Sequence, residues 1–409
     1  MMHLIYNIGI YFFKFFLQVA SWFNPKAKKL SDGQRNALND LVSKVDALSD
    51  YVWFHAASLG EFEQGRPVIE QLKDQYPATK ILLTFFSPSG YEVRKNYSCA
   101  DVVVYLPLDT PLDALSFVNK VNITKAIFIK YEFWPNYLLA LKRKGIEVYS
   151  VSSIFRPKQV FFQWYGGWYL NLLKVFTHLF VQDVDSKLLL VKHGIANVTV
   201  SGDTRFDRVS DLCQYVKQLP IVEQFCKASK IIVAGSTWIQ DEELLVKFLQ
   251  QHPDVKLILA PHEIHDAHIA KIESMMKMSY IKYSQAQSDE LIGARCLVID
   301  VIGVLSSIYR YADVAYIGGG FGVGIHNTLE AAVYGVPVVF GPNYMKFREA
   351  RDLVELGGAF SVGGYDDLKQ TLDRLLEDNS SGQLAGKYVQ TQVGATDMII
   401  EQMCKQANK

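Results

Sequence analysis

From residue 50 onward, short apolar runs alternate with amphipathic stretches of helical length. The first series of runs reads "YVWFHAAS", "KILLTFF", "DVVVYLPL", "KAIFIK", "IEVYSVSS", "HLFVQD" and "VTVSGD". Between them lie stretches such as 62–75 and 136–144, patterned as amphipathic helices. This alternation predicts βαβ units and a parallel sheet covered on both faces. A polar, helix-like bridge over 206–229 leads to a second series: "KIIVAGS", "VKLILAPH", "CLVIDV", "VAYIGGG", "PVVFGP" and "AFSVGG". The expectation is an α/β chain of two doubly wound, Rossmann-like domains facing a cleft. The first covers 31–205, the linker 206–229, and the second 230–409. In such sheets ligands bind beyond the carboxyl ends of the strands, so the residues just after each run are the candidates for chemistry.

The start of the chain follows another pattern. Residues 4–23, "LIYNIGIYFFKFFLQVASWF", are apolar and aromatic, and about long enough to span a bilayer as a helix. Asn7, Tyr11, Lys14, Gln18 and Ser21 recur at spacings of four and three, which places them on one narrow helical face. Residues 1–30 are therefore expected to form a membrane-anchor helix, either spanning with one polar stripe or lying in the interface. Lys26, Lys28, Lys29 and Arg35 follow at once. By the positive-inside rule the remaining chain is then expected on the cytoplasmic side. A cleaved signal peptide is the competing reading. Against it, the start "MMH" has no basic residue and Lys14 interrupts the apolar core. An ordinary buried helix is countered by the terminal position and the flanking lysines.

Composition narrows the function classes. Forty-two basic residues balance 42 acidic ones, which argues against nucleic acid as the main partner. The five cysteines contain no CxxC pair, so neither a zinc site nor a disulfide framework is expected. A reducing compartment follows.

The strand ends carry the candidate chemistry. In "HAASLGEFEQG", Glu61 stands where a strand opens into a helix. It reads as a helix-capping acid or as a general base, and the two are compatible. Ser87, Ser89, Lys130 and Glu132 follow other runs of the first series. In the second, "YIGGGFGVGIHNTLEAAVYGVPVVFGP" places glycines at 318, 319, 320, 322 and 324 before a helix start, with Asn327 or Thr328 as cap and Glu330 in its first turn. Such a loop admits a phosphate to the backbone, and Glu330 is placed to accept from ribose hydroxyls. A tight turn accounts for two of these glycines rather than five. A plain dinucleotide fingerprint fits less well, because "IHN" occupies the place of the helix. His262 follows a strand in "LILAPHEIHD" and is a donor to phosphate or base. His265 and His268 read as surface or capping residues, since their spacing matches no zinc pattern. Ile302, Gly303 and Val304 open a helix after Asp300, and Ser236 and Thr237 end "AGSTW". Asp183 to Asp185, "DVD", read as capping acids rather than a metal motif.

Taken in order and spacing, "SLGEFEQG", "SPSGYE", "LPLD", "EFWPN", "SGDTRFD", "AGSTW", "DVIGVL" and "GIHNTLEAAVYGVPVVFGP" resemble the Kdo transferase family (3-deoxy-D-manno-octulosonic acid transferases of lipopolysaccharide core biosynthesis). The resemblance covers nearly the whole chain. It implies a GT-B fold and an inverting transfer of Kdo from CMP-Kdo to a lipid A precursor, with no metal and no other cofactor. It places the catalytic base at Glu61. It places the CMP contacts at Pro261 and His262, at Ile302, Gly303 and Val304, and at Asn327, Thr328, Leu329 and Glu330. Two residues depart from the family pattern: His262 stands where Arg is frequent, and Lys130 where an acid is frequent. The alternatives are another GT-B enzyme using a UDP-sugar, a nucleotide-sugar epimerase or hydrolase, and a non-catalytic membrane scaffold.

Overall fold

The computed structural model describes residues 1–214, 217–227, 229–287, 290, 291 and 293–405. The chain forms two compact units, Met1–Arg208 with Gly394–Lys409, and Val209–Val393. The first unit holds seven parallel strands: β1 (Asp50–Ala56), β2 (Lys80–Phe85), β3 (Val102–Tyr105), β4 (Asn122–Ile129), β5 (Glu147–Ser153), β6 (His178–Val181) and β7 (Val198–Val200). Their order is β3-β2-β1-β4-β5-β6-β7, so the winding reverses between β1 and β4. β1 is buried on both faces. Trp53 packs on one side with Phe117, Phe128 and Tyr137, while Phe54 belongs to the core on the other. Truncating an aromatic so placed costs about 3–5 kcal/mol.

The second unit holds β8 (Lys230–Thr237), β9 (Val255–Pro261), β10 (Tyr280–Lys282), β11 (Cys296–Val298), β12 (Val314–Ile317), β13 (Val338–Phe340) and β14 (Ala359–Ser361). The order is β10-β11-β9-β8-β12-β13-β14, with the reversal between β8 and β12. Thirteen of the strands lie on apolar runs read from the sequence. The short edge strand β10 was not among them, because its three residues are exposed or half-buried and carry no buried alternation.

Two boundary expectations change. Residues 394–405 do not close the second domain but pack on the first unit. The helix Ala395–Lys405 buries Ile399, Ile400 and Met403 in the core behind β1. Asp207 fixes the crossing, accepting from the Gly394 N–H at 2.6 Å and the Thr396 N–H at 2.7 Å. The expected linker 206–229 is mostly helix, Arg205–Gln214 and Pro220–Cys226, and the unit boundary falls inside the first of these. Residues 215, 216 and 228 of that linker and 406–409 of the expected second domain lie outside the described residues.

The expected helix over 1–30 is two helices. The first, α1 (Met2–Ala20), ends before Asn24, whose side chain caps α2 (Pro25–Lys44) by accepting from the Lys26 and Ala27 N–H groups. Pro at the first position of α2 suits a fresh helix start. The polar side of α1 is docked on the first unit. Tyr6 donates to Asp109 at 2.7 Å, Asn7 accepts from Asn136 at 2.9 Å, and Lys14 pairs with Asp113 at 3.4 Å. Leu4, Ile5, Ile8, Phe12, Phe15 and Phe16 are left exposed. Among the described residues, no helix is long and apolar enough to cross a membrane.

Candidate functional site

In the first unit the reversal between β1 and β4 gathers the acids. α3 (Leu59–Gln75) follows β1, and Glu61 is its third residue. The carboxylate folds back on the helix start, accepting from the Ser58 N–H at 3.0 Å and the Ser58 hydroxyl at 3.3 Å. That satisfies a backbone donor the helix leaves open. Capping thus fixes the position of Glu61 without removing it from the strand edge. Its carboxyl is held above the usual range, first by burial and then by the neighbouring Glu132, against the opposing pull of Lys130 and His55.

Glu132 follows β4 and is buried. It accepts from Trp134 Nε1 at 2.7 Å and lies 3.3 Å from His55 Nε2. The other ring nitrogen of His55 bonds the Thr84 hydroxyl at 2.8 Å, and Trp53 Nε1 also donates to that hydroxyl at 2.8 Å. β1, β2 and the loop after β4 are therefore tied together beneath Glu61. Lys130 sits in the left-handed region at φ 62°, as do Ser152 at 57° and Ser236 at 53°. Each lies at the carboxyl end of a strand, where such strain is held at a cost of about 1–3 kcal/mol. Asp203, unassigned in the sequence reading, is also buried here. Burial would raise its carboxyl, but Arg205, at 2.7 Å, and Lys130 hold it below the usual range. Ser87 caps the helix Pro88–Arg94 and bonds Ser89, leaving Ser87 half-buried and Ser89 exposed in the first turn of that helix.

In the second unit the loops after β8, β9 and β12 meet. Asp241 is the buried tie. It accepts from the Trp238 N–H at 2.9 Å, the Gly319 N–H at 2.9 Å and the Tyr316 hydroxyl at 2.7 Å. His262, just past Pro261 at the end of β9, stacks on His326 with ring centroids 4.3 Å apart, and Trp238 lies 4.9 Å from His262. Trp238 Nε1 donates to His326 Nε2 at 3.3 Å. Burial, then the neighbouring His262, pushes the His326 imidazole down to about 4. A cavity of about 370 Å³ lies against Trp238, Asp241 and the glycine loop.

The glycines have structural work that the sequence reading did not foresee. A Cβ at Gly318 would sit 2.3 Å from the Ser236 carbonyl oxygen, and one at Gly320 would sit 2.5 Å from the Gly341 nitrogen. Gly319 and Gly324 have φ of 89° and 141°. Backbone packing and turn geometry thus account for four of the five, and a Cβ at Gly322 would make only an ordinary contact, 3.6 Å from the Gly319 carbonyl oxygen. Asn327, not Thr328, makes the capping bond of the next helix, accepting from the Leu329 N–H at 3.1 Å and donating to Glu330 at 3.0 Å. Leu329 is fully buried and the Thr328 hydroxyl is buried, so a ligand would meet these two through the backbone. Ile302 is exposed, Gly303 has φ 86°, and Val304 caps the one-turn helix Leu305–Ile308. Tyr309, just beyond, reaches the end of β8: a Cβ at Gly235 would lie 1.9 Å from its hydroxyl.

The histidine readings divide. His265 is exposed and caps the helix Asp266–Met275, while His268 is buried against Glu242 at 2.9 Å. With Glu263 they bring three ligand atoms within 4.8 Å of one another, the group of metal-binding chemistry found among the described residues. Asp183 caps its helix by accepting from the Ser186 N–H at 2.7 Å. Asp241 and His326 are the residues the sequence reading missed. Asp241 reads as an ordinary first-turn acid, and His326 stood only as an irregularity after the glycines.

Known proteins bear on this arrangement. Residues 27–208 match the family model described as 3-deoxy-D-manno-octulosonic-acid transferase (kdotransferase). The 3-deoxy-D-manno-octulosonic acid transferase of Aquifex aeolicus is 27% identical over 358 residues, covering 83% of this chain and 92% of the relative. The UDP-GlcNAc 2-epimerase of Neisseria meningitidis, solved with UDP-GlcNAc, superposes with a TM-score of 0.61 at 15% identity over 87% of this chain and 100% of that one. MurG of Acinetobacter baumannii gives 0.56 at 15% identity with the same coverage. At these identities the solved structures speak for the fold, which is α/β and GT-B. The chain thus carries a Kdo transferase domain over residues 27–208 and is similar, at 24–27% identity over most of its length, to glycosyltransferases named 3-deoxy-D-manno-octulosonic acid (Kdo) transferase.

Proposed function

We propose that the protein transfers Kdo from CMP-Kdo to a lipid A precursor resembling lipid IVA, with inversion, and that Glu61 is the base. The observation that carries this is a half-buried carboxylate at the β1 strand end, fixed by Ser58 and held above the usual carboxylate range. A base of that strength suits removal of a hydroxyl proton near neutrality. In the step, the acceptor hydroxyl oxygen bonds to the anomeric carbon of Kdo. Its proton passes to a Glu61 oxygen, and CMP departs with the electrons of the broken bond. The transition state is oxocarbenium-like, as in glycoside hydrolysis.

The donor falls to the second unit. Pro261 and His262, Ile302 to Val304, and Asn327 to Glu330 are the proposed CMP contacts. Both helices there are single turns, so individual N–H groups matter more than a macrodipole. The stacked imidazoles of His262 and His326 add donors that stabilise the leaving phosphate. The reaction so written calls for no metal ion or other cofactor.

We place the protein on the cytoplasmic face of the inner membrane. α1 supports this in its interfacial form: its polar side is bound to protein, and its aromatic side is exposed. An apolar face of that kind lies at the acyl boundary and brings the enzyme to an amphiphilic acceptor. The test is a mass-spectrometric transfer assay with fresh CMP-Kdo, a lipid A precursor in detergent, and a chelator. Product with wild type and none with Glu61→Gln is expected, and the mass gives the number of sugars added. Wild type inactive with this donor, but active with a UDP-sugar or turning over donor without lipid, overturns the reading.

A further inference from the structure

Three side chains after β9 meet although their spacing in the sequence matches no zinc pattern. Glu263, His265 and His268 each bring one ligand atom within 4.8 Å of the other two. The start of a helix does this. His265 caps the helix Asp266–Met275, and His268 is the third residue of that helix. Cap and third residue are neighbours in space, as in a capping box, and the two rings stand edge to face with centroids 5.9 Å apart. Glu263 turns back from the preceding loop, so that its carboxylate lies 3.0 Å from His265 Nε2. A tetrahedral zinc ion, with bonds of about 2.0–2.1 Å, holds its ligand atoms about 3.4 Å apart. Glu263 and His265 are exposed, so their side chains can close on an ion without disturbing the core.

The surroundings fit a metal as well as the ligands do. His268 is buried, and its Nε2 lies 2.9 and 3.1 Å from the two oxygens of Glu242. Glu242 is fully buried on the helix Ile239–Gln251 and also accepts from the Thr237 hydroxyl at 3.0 Å. A carboxylate behind the far ring nitrogen orients a metal-bound imidazole and strengthens it as a ligand. With Nε2 donating to Glu242, the His268 Nδ1 keeps the lone pair that an ion needs. His265 Nδ1 takes the His268 N–H at 3.2 Å, but that N–H also reaches the His265 carbonyl at 2.9 Å. Turning the His265 ring to an ion therefore leaves the helix start capped.

We propose that Glu263, His265 and His268 bind a divalent transition ion of the zinc class, with Glu242 as the positioning residue behind His268. Two imidazoles and one carboxylate suit zinc, and are too poor in oxygen for magnesium or calcium. Water completes the coordination. The ion lies outside the reaction written above, which calls for none. His262 stands next to Glu263, so the ion fastens the turn that carries a proposed CMP contact. That consequence rests on the proposed donor; the binding of the ion does not.

The test uses the full chain, stripped of metal and then freed of the stripping agent. Zn²⁺ alone is the probe, in competition with a chromophoric chelator. A single equivalent is expected to bind wild type, and His265→Gln and Glu242→Gln are each expected to weaken it by about tenfold or more. His265 is exposed, so its variant carries the test if Glu242→Gln fails to fold. Co²⁺ in place of Zn²⁺ is expected to give the strong visible absorption of a four-coordinate ion, lost in His265→Gln. No Zn²⁺ bound by wild type, wild-type affinity in His265→Gln, or Mg²⁺ displacing Zn²⁺ at equal concentration would overturn the site. Transfer is read separately and with a chelator present, so a failure of the Glu61 reading leaves these outcomes unchanged.

Discussion

His262 stacks on His326 with ring centroids 4.3 Å apart, and the inner ring of the pair is pushed down to about 4 by burial and by its neighbour. A histidine begins near 6.5 when unfolded. The unfolded chain therefore takes up the proton first as pH falls. His326 contributes fully to stability above about 6.5, and its contribution drains away between there and about 4. The ring is only half-buried, so solvent screening reduces the effect to about 1 kcal/mol. Urea unfolding of the second unit at pH 7 and pH 4.5 should show this loss in wild type and a smaller one in His326→Gln. Equal losses in both would refute the assignment.

Glu61 and its neighbours predict opposite pH shifts. Activity requires the base deprotonated, so it rises with pH through the Glu61 value. Glu132 raises that value and Lys130 lowers it. Glu132→Gln should move the acid limb of the rate profile to lower pH, and Lys130→Met should move it higher, each by about one unit or less. Glu61→Gln should reduce transfer about 10²- to 10⁴-fold, while CMP still protects the protein from heat. Limbs that move together, or do not move, would assign the titration to another group.

The comparison of sequence and structure divides along a physical line. Strands buried on both faces must be apolar throughout, so β1, β4, β8 and β12 were legible as runs, and the loops after them as candidate sites. The edge strand β10 buries nothing and left no such trace. The glycine loop was legible as a candidate site, but the reason for its glycines was not: contacts with Ser236 and Gly341 join residues far apart in the chain. Residues 395–405 were assigned to the second domain by their place in the chain, which cannot say which sheet a terminal helix covers. α1 was readable as an apolar, aromatic helix, and its polar stripe was read without its partners. Asn136 and Asp113, which meet Asn7 and Lys14 of that stripe, are about a hundred residues away, and Tyr6, which reaches Asp109, was not in it.

Asp241 ties two loops through three donors: the Trp238 N–H, the Gly319 N–H and the Tyr316 hydroxyl. Asp241→Ala leaves all three buried groups without this acceptor, at about 3 kcal/mol. Since the loop it holds after β12 leads into the proposed contacts Asn327 to Glu330, the variant should also lose the rise in Tm that CMP gives wild type. Near saturation, at about a hundred times Kd, that rise corresponds to about 2.7 kcal/mol. CMP protecting and UDP failing to protect wild type is the expected specificity. Protection by UDP instead would favour a UDP-sugar enzyme, and full CMP protection of Asp241→Ala would detach these loops from the nucleotide.

The docking of α1 should weaken as pH rises. Asp109 is 1% exposed, and burial pushes its carboxyl up to about 7, although the Tyr6 hydroxyl and the Asn136 and Tyr137 N–H groups pull it down. A folded value above the unfolded 3.8 means the folded form binds the proton more tightly. Its contribution is complete below about 4 and is lost as pH climbs through about 7, a swing of about 4 kcal/mol. Tyr6 spans the contact at 2.7 Å, so α1 should come away more easily at pH 8 than at pH 5.5. Limited proteolysis between Ser21 and Asn24 reports this directly. Cleavage should quicken with pH beyond the protease's own pH dependence, measured on a flexible peptide. Tyr6→Phe should cleave faster at both pH values, by about tenfold for one lost hydrogen bond of about 1.4 kcal/mol. Phe12→Ser with Phe16→Ser should leave cleavage unchanged while abolishing binding to vesicles, because those rings face away from the docked side. A pH-independent rate would remove Asp109 from the contact's control, and vesicle binding by the double variant would remove α1 from the membrane.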